Sequence, residues 1–256
     1  MEIAEHIDAI RDAGGRLSAG AAKAGPDAAV PSCPEWVVRD LVRHQGGVHR
    51  WAAGIVTTPR TEHWNVELDE VVGTWPDDAD LVAWFDAGAD ALANVLTQAD
   101  PALTCWAFLP APSPLAFWAR RQAHETSVHG VDAELAAGGP VAPFSPGFAA
   151  DGIGELLVGF AQRRGRLRSE NTRTLRVRCA DVAADWLVSI GPDRVQTTPG
   201  DGRQVGAAEP ADCEVAGTAD DLYLALWNRR RPDCLDVAGD RAVLDLFLDR
   251  LNIRWS

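Results

Sequence analysis

Between Phe117 and Ala137 the chain has no proline and a single glycine, and inside that stretch Glu125 and His129 stand four residues apart. Phe117, Val128, Val131 and Leu135 recur at the helical period, so the stretch reads as one helix. A separation of four sets a carboxylate and an imidazole on adjacent turns of one face, which suits a divalent ion held between packed helices. His124 lies about 100° around the helix from Glu125 and about 140° from His129, and is not expected to join them. The zinc-protease pattern of two histidines four apart is absent, because position 128 is valine. A Glu/His pair alone is also an ordinary solvated helix face, so a third ligand on a neighbouring helix decides between the two readings.

Candidates for that ligand lie upstream. Ser32-Cys33-Pro34-Glu35 combines a capping Ser/Glu pair with a proline in the first turn, and predicts a helix from about Cys33 to Ile55. Val38, Leu41, Val42, Val48 and Ala52 form its core stripe. His44 and His49 flank the stripe at about 90° and about 50° from its centre, so spacing slightly favours His49 and leaves both open. On such a helix Cys33 precedes His44 by eleven residues, roughly 16 Å, which is out of ligand reach.

Two more helices are expected: residues 2–24, with Ile3, His6, Ile7, Ile10, Ala13 and Leu17 on one side, and residues 79–98, with Leu81, Trp84, Phe85, Leu92 and Leu96 inward. The long connection from Thr57 to Asp78 reads as a lid or binding loop, and a second, proline-rich one runs from Pro101 to Pro114. Four helices of this kind make a bundle, where metal sites assemble from facing helices. Proline density from Pro140 to Pro146 then marks a boundary, giving an N-terminal domain over 1–142 and a C-terminal one over 143–256. Beyond it, helices are expected at Phe148–Gln162, Ala219–Trp227 and Ala242–Leu251. Strands are expected at Thr174–Cys179, Trp186–Ile190, Arg194–Thr197 and Cys213–Ala216. The fold class is therefore α plus α+β, a four-helix bundle followed by a small α+β domain with an antiparallel sheet.

Composition narrows the function. At 256 residues, 46% of them hydrophobic, the chain can bury two cores, and no apolar run is long enough to span a bilayer. The opening Met1-Glu2-Ile3-Ala4-Glu5-His6 is acidic and lacks the features of a signal peptide, so a cytoplasmic location is expected. Cys33, Cys105, Cys179, Cys213 and Cys234 contain no Cys-x-x-Cys pair and are expected as reduced thiols. A net charge of −13 argues against a general nucleic-acid binder. The basic run from Arg163 to Arg178 reads as a solvated helix end and strand edge.

Three segments together carry a family resemblance: Val30-Pro-Ser-Cys-Pro-Glu-Trp36, Asp40-Leu-Val-Arg-His-Gln-Gly-Gly-Val-His-Arg-Trp51, and His124-Glu-Thr-Ser-Val-His-Gly-Val-Asp-Ala-Glu134. They resemble the mycothiol-dependent maleylpyruvate isomerase family of actinobacteria. Val215-Ala-Gly-Thr-Ala-Asp-Asp-Leu-Tyr-Leu-Ala-Leu-Trp227 and Val237-Ala-Gly-Asp-Arg241 are similar to that family's second domain, which is sterol-carrier-like. The resemblance implies a DinB-like bundle holding one divalent metal, usually zinc, on a His/Glu/His triad. The family's Trp…Leu-x-x-His pattern matches Trp36, Leu41 and His44, so the implied triad is His44, Glu125 and His129, against the slight preference of spacing for His49. The resemblance also implies mycothiol as a cosubstrate and a substrate-side arginine, carried onto Arg229, with Arg230 and Arg241 as weaker candidates.

Three protein ligands leave one zinc position open, as in a catalytic site. A thiol entering there becomes a nucleophile at neutral pH. In the family's reaction the thiolate adds to a cis double bond conjugated with carbonyls, the adduct rotates, and expulsion of the thiol leaves the trans product. A thiol transferase would stop at the adduct. Asp132, one turn past His129, is a candidate to orient a ligand or hold a substrate group. The expected partners are mycothiol and a small electrophile, with no nucleic acid and no membrane, and the chain is expected to be a monomer. The alternatives are a zinc-dependent hydrolase and a non-catalytic metal- or lipid-binding protein.

Overall fold

The computed structural model describes residues 1–58, 60–163, 165, 167–200 and 210–251. The chain divides into two units, Met1–Ala142 and Pro143–Ser256. In the first unit the helices are α1 (Ile3–Ala24), α2 (Val38–Thr57), α3 (Leu68–Val72), α4 (Asp78–Gln98) and α5 (Pro114–Ala136). The four long ones form a bundle in which α1 and α2 each pack on both α4 and α5.

Side-chain pairs fix the directions. The rings of His6 and His124 meet, and Arg16 pairs with Glu134 along the same two helices, so α1 and α5 run parallel. Arg39 bonds Asp78 and Arg50 bonds the Trp84 carbonyl, so α2 and α4 are parallel as well. Ser18 meets Asp86, and a Cβ on Gly14 would touch Ala89, which sets the two pairs antiparallel to each other. Because α2 and α4 run the same way, the chain must return along the bundle between them, about 30 Å for a 20-residue helix. That crossover accounts for the length of the connection after Thr57, which carries α3 on the way.

Small residues allow the close approaches. A Cβ on Gly46 would collide with the Trp84 indole and one on Gly88 with the Arg50 guanidinium. Arg50 instead lies 3.7 Å over the Trp84 ring and donates to the carbonyls of Gly46 and Trp84, stapling α2 to α4. A Cβ on Gly20 would stand 2.8 Å from the Ala133 carbonyl carbon, so the α1 and α5 backbones approach closely there.

The expected helix start at Cys33 is corrected. Residues 31–35 are turns, and α2 opens at Val38, where the Asp40 carboxylate accepts from the Val37 N–H at 3.0 Å. A bridge between Ala29 and Val37, with the Val30 N–H donating to the Trp36 carbonyl, closes the segment into a tight loop before the helix begins. Ser32 has no role as a cap because its hydroxyl is committed elsewhere, to Asp132 on α5.

The second unit contains α6 (Pro146–Gly154), continued by a π-helical turn at Glu155–Phe160, then β1 (Arg173–Cys179), β2 (Asp185–Ile190), β3 (Val195–Gly200), β4 (Cys213–Gly217), α7 (Ala219–Leu226), β5 (Asp236–Gly239) and α8 (Arg241–Arg250). The sheet order is β3-β2-β1-β4-β5. The sheet is mixed and not antiparallel as expected: β1 and β4 pair in parallel, Val177 opposite Val215, while the other three pairings are antiparallel. β4 lies on the side of β1 away from β2 and runs parallel to it. Asp212 locks the start of this pairing, accepting from the N–H and hydroxyl of Thr174 at 2.7 and 3.0 Å. The fifth strand was not among the expected elements; only Val237 of its four residues is a strong strand former. Leu175, Val177, Val188, Ile190, Cys213 and Val215 fill the covered face of the sheet, with Val243, Leu244 and Phe247 of α8 buried in the same unit. Arg164 and Arg166 of the basic run lie outside the described residues. Among the described residues no helix is long and apolar enough to cross a membrane, and the five cysteines are free thiols.

The Gly20 contact makes a paired prediction. Gly20→Val should destabilise the chain by about 1–3 kcal/mol through overpacking. Gly15→Ala, on the same helix with nothing within 4 Å of its Cβ, should stabilise it by about 0.5–1 kcal/mol. Urea midpoints of both variants check the pair; similar shifts in the two would refute the packing argument.

Candidate metal centre

Helix α5 starts cleanly: Ser113 accepts from the Ala116 N–H at 3.1 Å and Pro114 occupies the first turn. From Leu115 to Ala133 nearly every position is buried, charged and polar ones included: Arg121, Gln122, His124, Glu125, Thr126, Ser127, His129 and Asp132. The single apolar stripe expected from the sequence is therefore only one side of a helix enclosed on all sides. Such a row of buried polar groups needs partners, since each one left unmet costs about 1–3 kcal/mol.

Glu125 and His129 face α2, where His44 meets them. Oε1 of Glu125 lies 3.9 Å from Nε2 of His44 and 3.5 Å from Nε2 of His129, and all three ligand atoms fall within 4.8 Å of one another. Around tetrahedral zinc, with bonds of about 2.0–2.1 Å, ligand atoms are roughly 3.3 Å apart, so these stand a little wider than an ion would draw them. His44 Nε2 and Glu125 Oε1 are buried without a hydrogen-bond partner. Two unmet acceptors pointing at one spot fit a cation between them.

The charges around the three are arranged to suit. Burial by itself would raise Glu125, but the Arg121 guanidinium, 2.8 Å from Oε2, and the two imidazoles hold it well below the usual carboxylate range. Burial lowers His44, keeping it neutral and its lone pair available. His129 is also pulled down by burial, yet Asp132 and Glu125 more than reverse this. Asp132 Oδ2 lies 2.8 Å from His129 Nδ1, and Oδ1 accepts from the Ser32 hydroxyl at 2.5 Å. An ionised carboxylate only accepts, so the proton sits on Nδ1 and Nε2 is the atom turned to Glu125. The Trp36 indole covers both imidazoles, its ring centroid 4.8 Å from that of His44 and 5.9 Å from that of His129.

Other sequence candidates fall elsewhere. His49 is fully buried, with Nε2 2.9 Å from both Gln45 Nε2 and Thr126 Oγ1 and its ring against Phe85; burial lowers its pKa to about 3. The wheel preference for His49 is thus corrected: it measured closeness to the core, whereas a reachable ion needs a ligand at the core's margin, and the His44 side chain keeps 13% exposure. His124 turns its ring to His6. The 16 Å separation expected for Cys33 is also corrected, because the turn before α2 folds back and brings Cys33 Sγ to 3.8 Å from Asp132 Oδ2. Cys105 is buried, which raises its thiol pKa, and it touches Trp118, two turns or about 10 Å along α5 from Glu125.

Arg229 belongs to the second unit. Asn228, with φ at 62°, ends α7 in the left-handed conformation; its N–H bonds the Ala225 carbonyl and that of Arg229 the Leu224 carbonyl. The Arg229 guanidinium donates to the Trp227 carbonyl at 2.9 Å. Arg230 pairs with Asp220 and Asp221, and Arg241 with Asp245. Sequence reasoning gave no role to Arg121, although its spacing of four from Glu125 was readable, nor to Ser32 and Trp36 as parts of the site's wall.

Arg121→Met leaves the Glu125 charge buried without its nearest cation and should destabilise the metal-free protein by about 3–5 kcal/mol. Added divalent zinc should recover more stability in this variant than in the parent chain. Paired thermal melts with and without zinc test it; equal zinc-induced gains would show that Arg121 and an ion do not compensate the same charge.

Two family profiles match the chain: the mycothiol maleylpyruvate isomerase N-terminal domain over residues 7–134, and the C-terminal domain of the same family over residues 147–246. Among solved structures, that of the mycothiol-dependent maleylpyruvate isomerase superposes with a TM-score of 0.60 at 12% identity, covering 94% of this chain and 95% of that one. A histidine-to-alanine mutant of that enzyme matches at TM-score 0.60 and 11% identity, with coverage of 94% and 95%. At such identity the likeness concerns the fold. No curated protein matches. With profiles matched on both units, this chain belongs to the mycothiol-dependent maleylpyruvate isomerase family.

Proposed function

We propose that this protein is a metal-dependent enzyme that uses a low-molecular-weight thiol, mycothiol by family membership, as the nucleophile in cis–trans isomerisation of a maleylpyruvate-like electrophile. Thiol transfer to a related electrophile is the neighbouring activity. The observation that carries the reading is the pair of orphaned buried acceptors, His44 Nε2 and Glu125 Oε1, converging with His129 Nε2. On this reading the unit Met1–Ala142 is the DinB-like metal-binding domain, and the unit Pro143–Ser256 is the sterol-carrier-like one.

An ion held by these residues, zinc being the family's usual choice, supplies the positive charge that lets a thiol react deprotonated at neutral pH. Asp132 holds His129 in the tautomer that offers Nε2, and Arg121 keeps Glu125 ionised in a buried setting. Trp36 shields one side of the imidazoles from water. The thiolate adds across the cis double bond, and the electron pair moves to the conjugated carbonyl. Rotation about the new single bond and return of the pair expel the thiolate and leave the trans isomer. Arg229 is the proposed cation for a substrate carboxylate, a role taken from the family resemblance.

The expected result is one divalent ion per chain by elemental analysis, with affinity falling by at least about 10- to 100-fold in Glu125→Ala. Undiminished metal content in that variant would overturn the ligand assignment. Turnover should require the added thiol and survive in Cys33→Ser, which keeps a donor to Asp132, and in Cys105→Ala. Unchanged turnover in thiol-free buffer would instead favour the hydrolase. Arg229→Ala should raise KM for a carboxylated substrate more than it lowers kcat.

A further inference from the structure

Only α2 and α5 supply the three proposed ligands, yet these two helices pack on each other less extensively than α1 does on α5 or α2 on α4. A small polar bridge joins them beside the centre. Gln45 Nε2 lies 3.1 Å from Thr126 Oγ1, His49 Nε2 lies 2.9 Å from the same oxygen, and Gln45 and His49 are 2.9 Å apart. The Thr126 hydroxyl is itself tied to its helix, donating to the Gln122 carbonyl at 2.7 Å. Gln45, His49 and Thr126 are each fully buried.

The position of this bridge is its main feature. Gln45 follows His44 directly on α2, and Thr126 follows Glu125 directly on α5. A bond between Gln45 and Thr126 therefore fixes the spacing of the two helices one residue away from both ligands. Without it, α2 could slide or draw back, and the distance from His44 Nε2 to Glu125 Oε1 would change with it. Phe85 of α4 backs the His49 ring at 5.3 Å between centroids, so the imidazole is held from behind while it reaches α5. The Thr126 proton goes to Gln122, so its oxygen only accepts here, and a hydrophobic residue at 49 would pack as well against Phe85 but remove one of the two nitrogens that can donate to that oxygen.

We propose that Gln45, His49 and Thr126 form a positioning bridge that sets the α2–α5 separation at which His44, Glu125 and His129 bind one ion. His49 is a positioning residue in this scheme and not a ligand. The inference rests on the metal reading above and goes beyond it by assigning the buried groups that tune the centre's geometry.

The test uses the full chain loaded with cobalt(II), whose visible spectrum reports coordination geometry, and zinc affinity measured by competition with a chromophoric chelator. Thr126→Val, which removes one hydroxyl at nearly constant volume, and His49→Leu should each weaken zinc about 10-fold or more, the size seen when groups behind a ligand are removed, and shift the cobalt spectrum. His49→Gln, which keeps an amide within reach of Thr126, should restore most of both. Ile10→Val on α1 is the control for general loosening of the bundle, and should lower stability while leaving affinity and spectrum alone. Parent-like zinc affinity and cobalt spectrum in folded Thr126→Val overturn the bridge. So does an equal loss of affinity in Ile10→Val. Failure of the parent chain itself to bind zinc or cobalt would overturn the underlying metal reading.

Discussion

Burial of a polar helix is the constraint on which the first unit depends. Helix α5 passes through the bundle with arginine, glutamate, histidine and aspartate side chains enclosed, and such groups persist inside a protein only when paired or when they hold an ion. Most of the pairing is internal to α5 or reaches the segments next to it: Arg121 with Glu125, His129 with Asp132, Asp132 with Ser32, Thr126 with Gln45 and His49. Several neutral atoms on the two facing helices stay without a hydrogen bond, Gln122 Oε1, Ser127 Oγ and Gln45 Oε1 among them, but the unmet carboxylate oxygen is Glu125 Oε1, and His44 Nε2 faces it. The same polarity that makes α5 an expensive core element thereby confines the unsatisfied charge to one place, where a cation can be bound.

The surrounding architecture follows from enclosing that helix. The other three long helices pack around α5 more completely than a lone partner would, and the parallel run of α2 and α4 obliges the chain to travel back between them. The close approaches this needs fall at Gly20, Gly46 and Gly88, where a side chain would strike Ala133, Trp84 or Arg50. Stability and site geometry are in this way tied to the same few small residues.

Helix periods made the bundle legible in the sequence, and so did the Glu125/His129 pair, because a spacing of four has a fixed geometric meaning on any helix. The third member of the cluster was not legible from spacing. A wheel ranks positions by distance from the core, and it placed His49 ahead of His44 because His49 is the more buried, which the structure bears out for burial alone. The family pattern, not periodicity, pointed to His44. The local signal Ser-x-Pro-Glu also misled, since its serine is drawn away by a residue one hundred positions later, a long-range bond that no local rule contains. In the second unit four of the five strands were readable, but β5, with a single strong strand former, and the parallel pairing of β1 with β4 were not, because register between distant strands leaves no local trace.

The turn that spoils the capping signal also changes the ground on which an internal nucleophile is judged. Cys33 does not stand far off along a helix; it lies 3.8 Å from Asp132 Oδ2, and Asp132 in turn holds His129. Distance therefore does not set this cysteine aside, but charge does. Its S–H is directed at a buried carboxylate that already serves Ser32 and His129, and giving up the proton there would place two negative charges side by side in a medium that screens them poorly. On the proposed reading, a thiol arriving from outside would meet the opposite surroundings, two imidazoles and a cation that favour an anion. Cys33 is thus a hydrogen-bond donor to the carboxylate behind His129, and the proposed reaction takes its nucleophile from a cosubstrate.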